Sequence, residues 1–195
     1  MKADSAKHYP DIEKDGLVDR KLEISLVQAA ICGDADSFTE ICQYYYPAMV
    51  AIAHSITGDR HLAEDAAQQT FAKAAVKLPQ LKVKEKFAGW IATICRNTAK
   101  DIFRKQRIFS DADELSTVAA KKENVDQIMV VREALTKLSD PAREVIYLRF
   151  YDGLSYEQIS SVLGISEQAI NGRLRRAKKE LAEYLRREGF NECQL

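Results

Sequence analysis

Arg173, Arg175, Arg176, Lys178 and Lys179 crowd five cations into one short stretch of a chain whose 29 basic and 29 acidic residues cancel. Cations that dense can neutralise phosphates, and amides beside them can hydrogen-bond base edges. Stepping ~100° per residue around a helix puts Gln168, Gly172, Arg175 and Lys179 on one side, with Asn171 and Arg176 flanking them. Ile170, Leu174, Ala177 and Leu181 take the opposite, inward side. The outward face therefore carries amide and guanidinium groups and almost no acid. Arg173 points nearer the core, where an ion pair is expected, and Glu167 in the first turn suits the helix dipole. On charge alone, a solvated basic helix is the favoured reading of this face.

The residues just before it tip the balance toward DNA. Ser155 followed by Gln158 makes a capping box, Ile159, Val162 and Leu163 give a short helix an apolar edge, and Gly164 suits a left-handed stop. Ser166 then caps the basic helix after a tight turn, with Ile165 placed to pack at the corner. Two helices joined this closely form a helix-turn-helix pattern.

A second basic segment is KFAGWIATICRNTAKDIFRKQR, residues 86–107. Phe87, Ile91, Ile94, Thr98 and Ile102 form its inward stripe, Arg96, Asn97, Lys100, Arg104 and Arg107 lie outside it, and Lys105 falls nearer the stripe. It is either a second nucleic-acid contact or a solvated basic face. Trp90 stands beside Ile91 and Ile94 and reads as core. The segment at 61–78 differs, because Ala67, Phe71, Ala74 and Leu78 make one stripe while Leu62, Asp65, Gln69, Ala72 and Val76 make a second, roughly opposite. That second face either receives a protein partner or is solvated, its alanines being good helix formers.

The elements that must position these residues are all helical. Period-two alternation is absent, and three- and four-residue spacing predicts helices near 23–32, 35–57 with a kink at Pro47, 60–78, 85–107, 125–138, 141–151, 155–163 and 166–187. The 195 residues, 46% of them hydrophobic, suffice for one core or two small ones. The expected fold is all-α, with two small helical domains at 22–107 and 125–187 joined by a flexible linker at 108–124, the second domain a helix-turn-helix. The linker, IFSDADELSTVAAKKEN, is polar and acidic in its middle with no sustained period. Polar tails at 1–21 and 188–195 complete the division.

Several functional classes are set aside by the same reading. Cys32, Cys42, Cys95 and Cys193 have no C-x-x-C spacing, and His8, His54 and His61 belong to no ligand cluster, so neither a disulfide framework nor a metal site is expected. There is no run of eighteen apolar residues and no signal-peptide core, which points to a soluble cytoplasmic protein without membrane insertion. No P-loop, nucleophile and base arrangement or paired metal carboxylates is present, so no catalysis, cofactor or small-molecule substrate is expected.

Three segments then occur in the order of a known family. AEDAAQQTFAKA, FAGWIATICRNTAKDIFRK and LSDPAREVIYLRFYDGLSYEQISSVLGISEQAINGRLRRAKKEL resemble successive motifs of the bacterial sigma factors of the extracytoplasmic-function group. With GDADSFTEICQYYYPAMVAIAHSITGD the resemblance covers about 22–187. It implies that Asp65, Gln68 and Gln69, the last standing where the family usually has Glu, contact core RNA polymerase. It further implies that Arg96, Asn97, Lys100, Arg104 and Lys105 face the minus-ten element, with Asp101 orienting basic neighbours. Gln168, Asn171, Gly172, Arg175, Arg176 and Lys179 would read the minus-thirty-five element, although Gln168, Ala169 and Ile170 replace the family's commoner G-T-V. KLPQLKVKEK, 77–86, would be the loop that captures an unstacked base, its pocket built from elsewhere because it has no aromatic. The acidic linker would thread toward the polymerase active-site channel, and an anti-sigma factor is an expected partner. A stand-alone helix-turn-helix repressor would leave 61–107 unaccounted for, and a helical adaptor would never read DNA.

Overall fold

The computed structural model describes residues 20–110 and 122–190, and every regular element within them is helical. The helices are α1 (Arg20–Ile31), α2 (Ala35–Thr57), α3 (Arg60–Lys77), α4 (Phe87–Ser110), α5 (Lys122–Lys137), α6 (Asp140–Ile146), α7 (Tyr156–Leu163) and α8 (Glu167–Arg187). Short 3-10 turns at Leu78–Gln80 and Lys84–Lys86 fill the α3–α4 connection. All eight expected segments form. The helix expected at 141–151 is divided, with α6 continuing into a wider π turn at Tyr147–Tyr151. There the Asp152 amide donates to the Tyr147 carbonyl, five residues back, and Gly153 at φ 69 ends the turn. α2 runs through Pro47 as a single element. The ends of the expected linker are helical as far as Ser110 and from Lys122, while 111–121, 1–19 and 191–195 lie outside the described residues.

α2, α3 and α4 pack pairwise into a bundle, with α1 laid across α2. Phe87, Met49, Ile52, Ile41 and Ile91 are fully enclosed in it. The inward stripe of α4 is broader than periodicity of the large residues indicated, because Ala88, Ala92, Cys95 and Ala99 are buried as well. α4 is sandwiched on two sides, and small residues are what let α2 and α3 approach it. Two polar groups drawn in find partners: the Tyr45 hydroxyl donates to Glu23 at 2.6 Å, tying α1 down, and the Cys95 thiol donates to the Met49 carbonyl at 3.2 Å. Cys32, Cys42 and Cys95 are free thiols, and burial pushes the Cys95 thiol up to about 12, so it packs rather than reacts.

α5 and α6 pack on α8, and α7 closes the second unit around Val145, Leu148, Ile159 and Ile170. The two units are in contact. α6 and the π turn lie on α2, and α7 lies on α4, so buried residues from Val27 to Ala177 form one connected cluster.

Candidate nucleic-acid and polymerase interfaces

The helix-turn-helix is built as its residue types dictate. The Ser155 hydroxyl accepts from the Gln158 amide at 3.1 Å while the Gln158 side chain accepts from the Ser155 amide at 2.8 Å. Gly164 sits at φ 66, and the Ser160 hydroxyl donates to the Ile165 carbonyl at 2.7 Å, fixing the corner. Ser166 caps α8 through the Ala169 amide at 3.3 Å. Ile170, Leu174 and Ala177 are buried, Leu181 is half-buried, and Leu185 continues the stripe. Gln168, Asn171, Arg175, Arg176 and Lys179 are exposed together along the other side, Gly172 is half-buried, and a Cβ there would meet nothing within 4 Å. Arg176 reaches back to the Gly172 carbonyl at 3.2 Å, and Lys179 approaches Glu183 at 3.8 Å. Arg173 is half-buried as expected, but it forms no ion pair among the described residues. Lys178, absent from the sequence-derived face, lies 4.6 Å from the centre of the Phe150 ring.

On α4 the expected basic face divides. Asn97, Lys100, Arg104 and Lys105 are exposed, so Lys105 turns outward rather than toward the stripe. Arg104 pairs with Asp101 at 2.9 Å, the orienting contact expected of that acid; the Arg107 side chain lies outside the described residues. Arg96 departs from the group. Its Nε donates to the Glu144 carboxylate at 2.8 Å, its side chain is 30% exposed and its partner's 12%. Trp90 is half-buried against Phe87, with ring centres 5.7 Å apart, and its free side faces a cavity.

That cavity, about 950 Å³, adjoins the 77–86 loop. Tyr44 and Trp90 supply the aromatics that the loop lacks, Lys82 and Lys86 stand at its wall, and Ser160 and Ile165 of the helix-turn-helix close the far side. On α3, Ala67, Phe71 and Ala74 are buried together with Ala63, Ala66 and Thr70. Asp65, Gln68, Gln69, Ala72 and Val76 form one exposed face, Val76 at 77% exposure, with Leu62 half-buried at its edge. Lys73 is turned away from that face by its hydrogen bond to Thr98 at 2.9 Å.

The seam between the units contains residues that sequence reasoning missed. Glu144 holds Arg96 from a position 48 residues away, and Arg143 Nε donates to the Ser55 carbonyl at 2.5 Å across 88 residues. His54 lies edge-on to Tyr147 and Tyr151, with centres 4.9 and 4.7 Å away. Burial lowers its pKa, and its Nδ1 is enclosed without a partner among the described residues. Asp152 is pushed up to about 7 by burial, against the opposing charge of Arg60, and its Oδ2 is likewise unsatisfied. The only sequence signal was indirect, charged residues inside a short helix whose neighbours Val145 and Ile146 are apolar.

Known proteins resemble this chain. The Sigma-70 region 2 profile matches residues 41–108, and that of Sigma-70, region 4 matches 128–181. The RNA polymerase sigma factor SigZ of Bacillus subtilis is 30% identical over 148 residues, covering 73% of this chain and 83% of that protein. The ECF RNA polymerase sigma factor SigW of the same organism is 28% identical over 171 residues, covering 79% and 91%. The sigma factor RpoE of Bartonella quintana, solved in complex with the anti-sigma factor NepR, is 30% identical with a TM-score of 0.51, covering 78% of this chain and 98% of that one. CnrH, solved with the cytosolic domain of CnrY, shares the fold at 24% identity and a TM-score of 0.59, over 86% and 99%. The chain belongs to the extracytoplasmic-function group of bacterial RNA polymerase sigma factors. It is a transcription initiation factor, not an enzyme: it binds core RNA polymerase and promoter DNA and directs the one to the other. The region 2 match accounts for the 61–107 segment that a stand-alone repressor would leave unexplained, and the region 4 match for the helix-turn-helix that an adaptor would not need. No described helix is long and apolar enough to cross a membrane.

Proposed function

We propose that residues 22–107 act as sigma region 2 and 125–187 as region 4, with 108–124 between them threading toward the polymerase active-site channel. Asp65, Gln68 and Gln69 contact core polymerase. Asn97, Lys100, Arg104 and Lys105, joined by Arg96, face the minus-ten element, and the 77–86 loop receives an unstacked base during strand opening. Gln168, Asn171, Gly172, Arg175, Arg176 and Lys179 face the minus-thirty-five element, where amides and Arg can read base edges and Lys can neutralise phosphate. The observation that carries this assignment is the exposed, acid-poor side of α8 behind a capped turn, together with a separate exposed acid-and-amide side of α3. The factor works in the cytoplasm and is held by an anti-sigma protein, a partner supported by the similar RpoE solved with NepR.

A nearly neutral chain gains little from bulk electrostatics, so the factor alone binds promoter duplex weakly and gains specificity on the enzyme. The test is promoter binding and RNA synthesis with and without core polymerase, on a promoter mapped from transcript starts after overexpression. Activity that depends on the polymerase, and falls when Asp65 is reversed in charge, supports the assignment. Tight binding of DNA by the isolated factor as a dimer would sink it.

A further inference from the structure

Phe150 stands on the π turn with 56% of its surface exposed, too much for a residue whose purpose is to fill a core. Its ring is instead a seat for a cation. The Lys178 ammonium of α8 lies 4.6 Å from the ring centre, within the ~6 Å over which the negative face of an aromatic attracts positive charge. The neighbouring Arg149 uses the same chemistry differently. It is half-buried, lies 5.4 Å from the Tyr156 ring and donates to the Leu154 carbonyl at 2.8 Å, so it ties the unit together. Lys178, by contrast, is exposed.

Its place on α8 gives the ammonium a task. Lys178 follows Asn171 by seven residues, or two turns, so it lies on the same edge of the helix about 10 Å further along. A recognition helix sets its N-terminal residues against base edges. The groove it enters is ~12 Å wide and bounded by phosphates, so a cation two turns past a base-reading residue stands at the wall of the groove rather than its floor. The residues around Lys178 also keep acid away from it: three and four positions off are Leu174, Arg175, Leu181 and Ala182. No ion pair among the described residues includes it, whereas Lys179 is drawn toward Glu183 at 3.8 Å. That difference bears on anion binding. A carboxylate would cancel the charge and compete with phosphate, but a ring face leaves the charge whole and covers one side of a group with three donors. It also restrains a long side chain, which lowers the ordering cost of a further contact.

We propose that Lys178 is an additional phosphate contact of the minus-thirty-five unit and that Phe150 is its positioning residue, holding the ammonium by a ring face without neutralising it, a role that rests on the reading of α8 given above. The group recognised is the DNA backbone and not a base. The pair therefore sets affinity and salt dependence and leaves base preference alone.

The test is binding of the mapped promoter by the holoenzyme across a range of salt, with circular dichroism of each variant to confirm that its helices are kept. Lys178→Gln should weaken binding evenly across promoter variants and lower the slope of affinity against salt by about 1. Phe150→Leu keeps an apolar side chain and removes the ring; binding should weaken by about two- to fivefold, the strength of an exposed cation–π contact, with the slope kept. Phe150→Tyr should match the parent, because the ring returns. Phe150→Glu should hold Lys178 and yet lower the slope, because the carboxylate takes the charge that phosphate needs. Once Lys178→Gln is present, Phe150→Leu should have no further effect. If Phe150→Leu loses helicity, Phe150→Met takes its place. The pairing is overturned if folded Lys178→Gln keeps the parent's slope, if Phe150→Leu binds as tightly as the parent, or if its loss is as large without Lys178 as with it. Should Lys179→Ala and Asn171→Ala also leave promoter binding unchanged, the reading of α8 itself falls; if those two weaken binding while the Lys178 and Phe150 variants do not, this pair alone is refuted.

Discussion

At the scale of single residues, the side chains at work divide into those left open to solvent and those drawn into the seam. Asp65 belongs to the first kind: exposed on α3, its reversal to Arg should move stability by no more than about 0.5 kcal/mol. Polymerase-dependent transcription should nonetheless collapse, as run-off synthesis beside an unfolding curve would reveal. Asp152 belongs to the second kind. Its carboxyl is raised by burial to about 7, so the folded chain favours the protonated acid. Its contribution is fully present below the unfolded value near 3.8 and is lost as pH rises toward 7. Asp152→Asn should therefore match the parent in urea midpoint at pH 4 and exceed it by a growing margin to pH 8. A parallel pair of pH profiles would refute the buried-acid account. His54 runs the other way: its lowered pKa means that protonation below about 6.5 weakens the packing, with Asp59 resisting and Arg60 and Arg132 assisting that loss.

At the scale of elements, the helix-turn-helix depends first on its small core and then on a cap and a stop. Gly164 stands at φ 66 with nothing within 4 Å of where a Cβ would project, so Gly164→Ala meets a backbone penalty alone, about 1 kcal/mol. Ser155→Ala removes half of a reciprocal cap and should cost about 1 kcal/mol as well. Ile159→Ala opens a cavity at a fully buried site and should cost about 2–5 kcal/mol. Denaturant midpoints should fall furthest for Ile159→Ala, with the other two variants close together. On α8, Lys179→Ala should weaken promoter binding by the holoenzyme evenly across sequences and lower the salt slope by about 1. Asn171→Ala should instead relax the preference for one base. A Lys179 variant that changed base preference would break the division between phosphate and base contacts.

At the scale of the whole molecule, the fold and most candidate positions were legible from sequence, while the relation between the halves was not. The helices follow from local rules: Ser155 with Gln158, Gly164 and the 3.6-residue stripe of Ile170, Leu174 and Ala177 each act within one or two turns. The same locality explains why Asp65, Gln69, Lys100 and Arg175 were found on exposed faces. Arg96 lay on the right face by periodicity and was taken off it by an acid 48 residues away, which no local rule could supply. The second buried stripe of α4 was missed for a related reason, since alanines give little hydrophobic contrast until two neighbours enclose them. Sequence by itself thus determined eight helices, a capped turn and the sign of the charge on each exposed face, because these depend on residues within a few positions of one another. Only the tertiary structure decided which of those charges meet solvent and which meet each other, because ion pairing and desolvation depend on distance in space and not on distance along the chain.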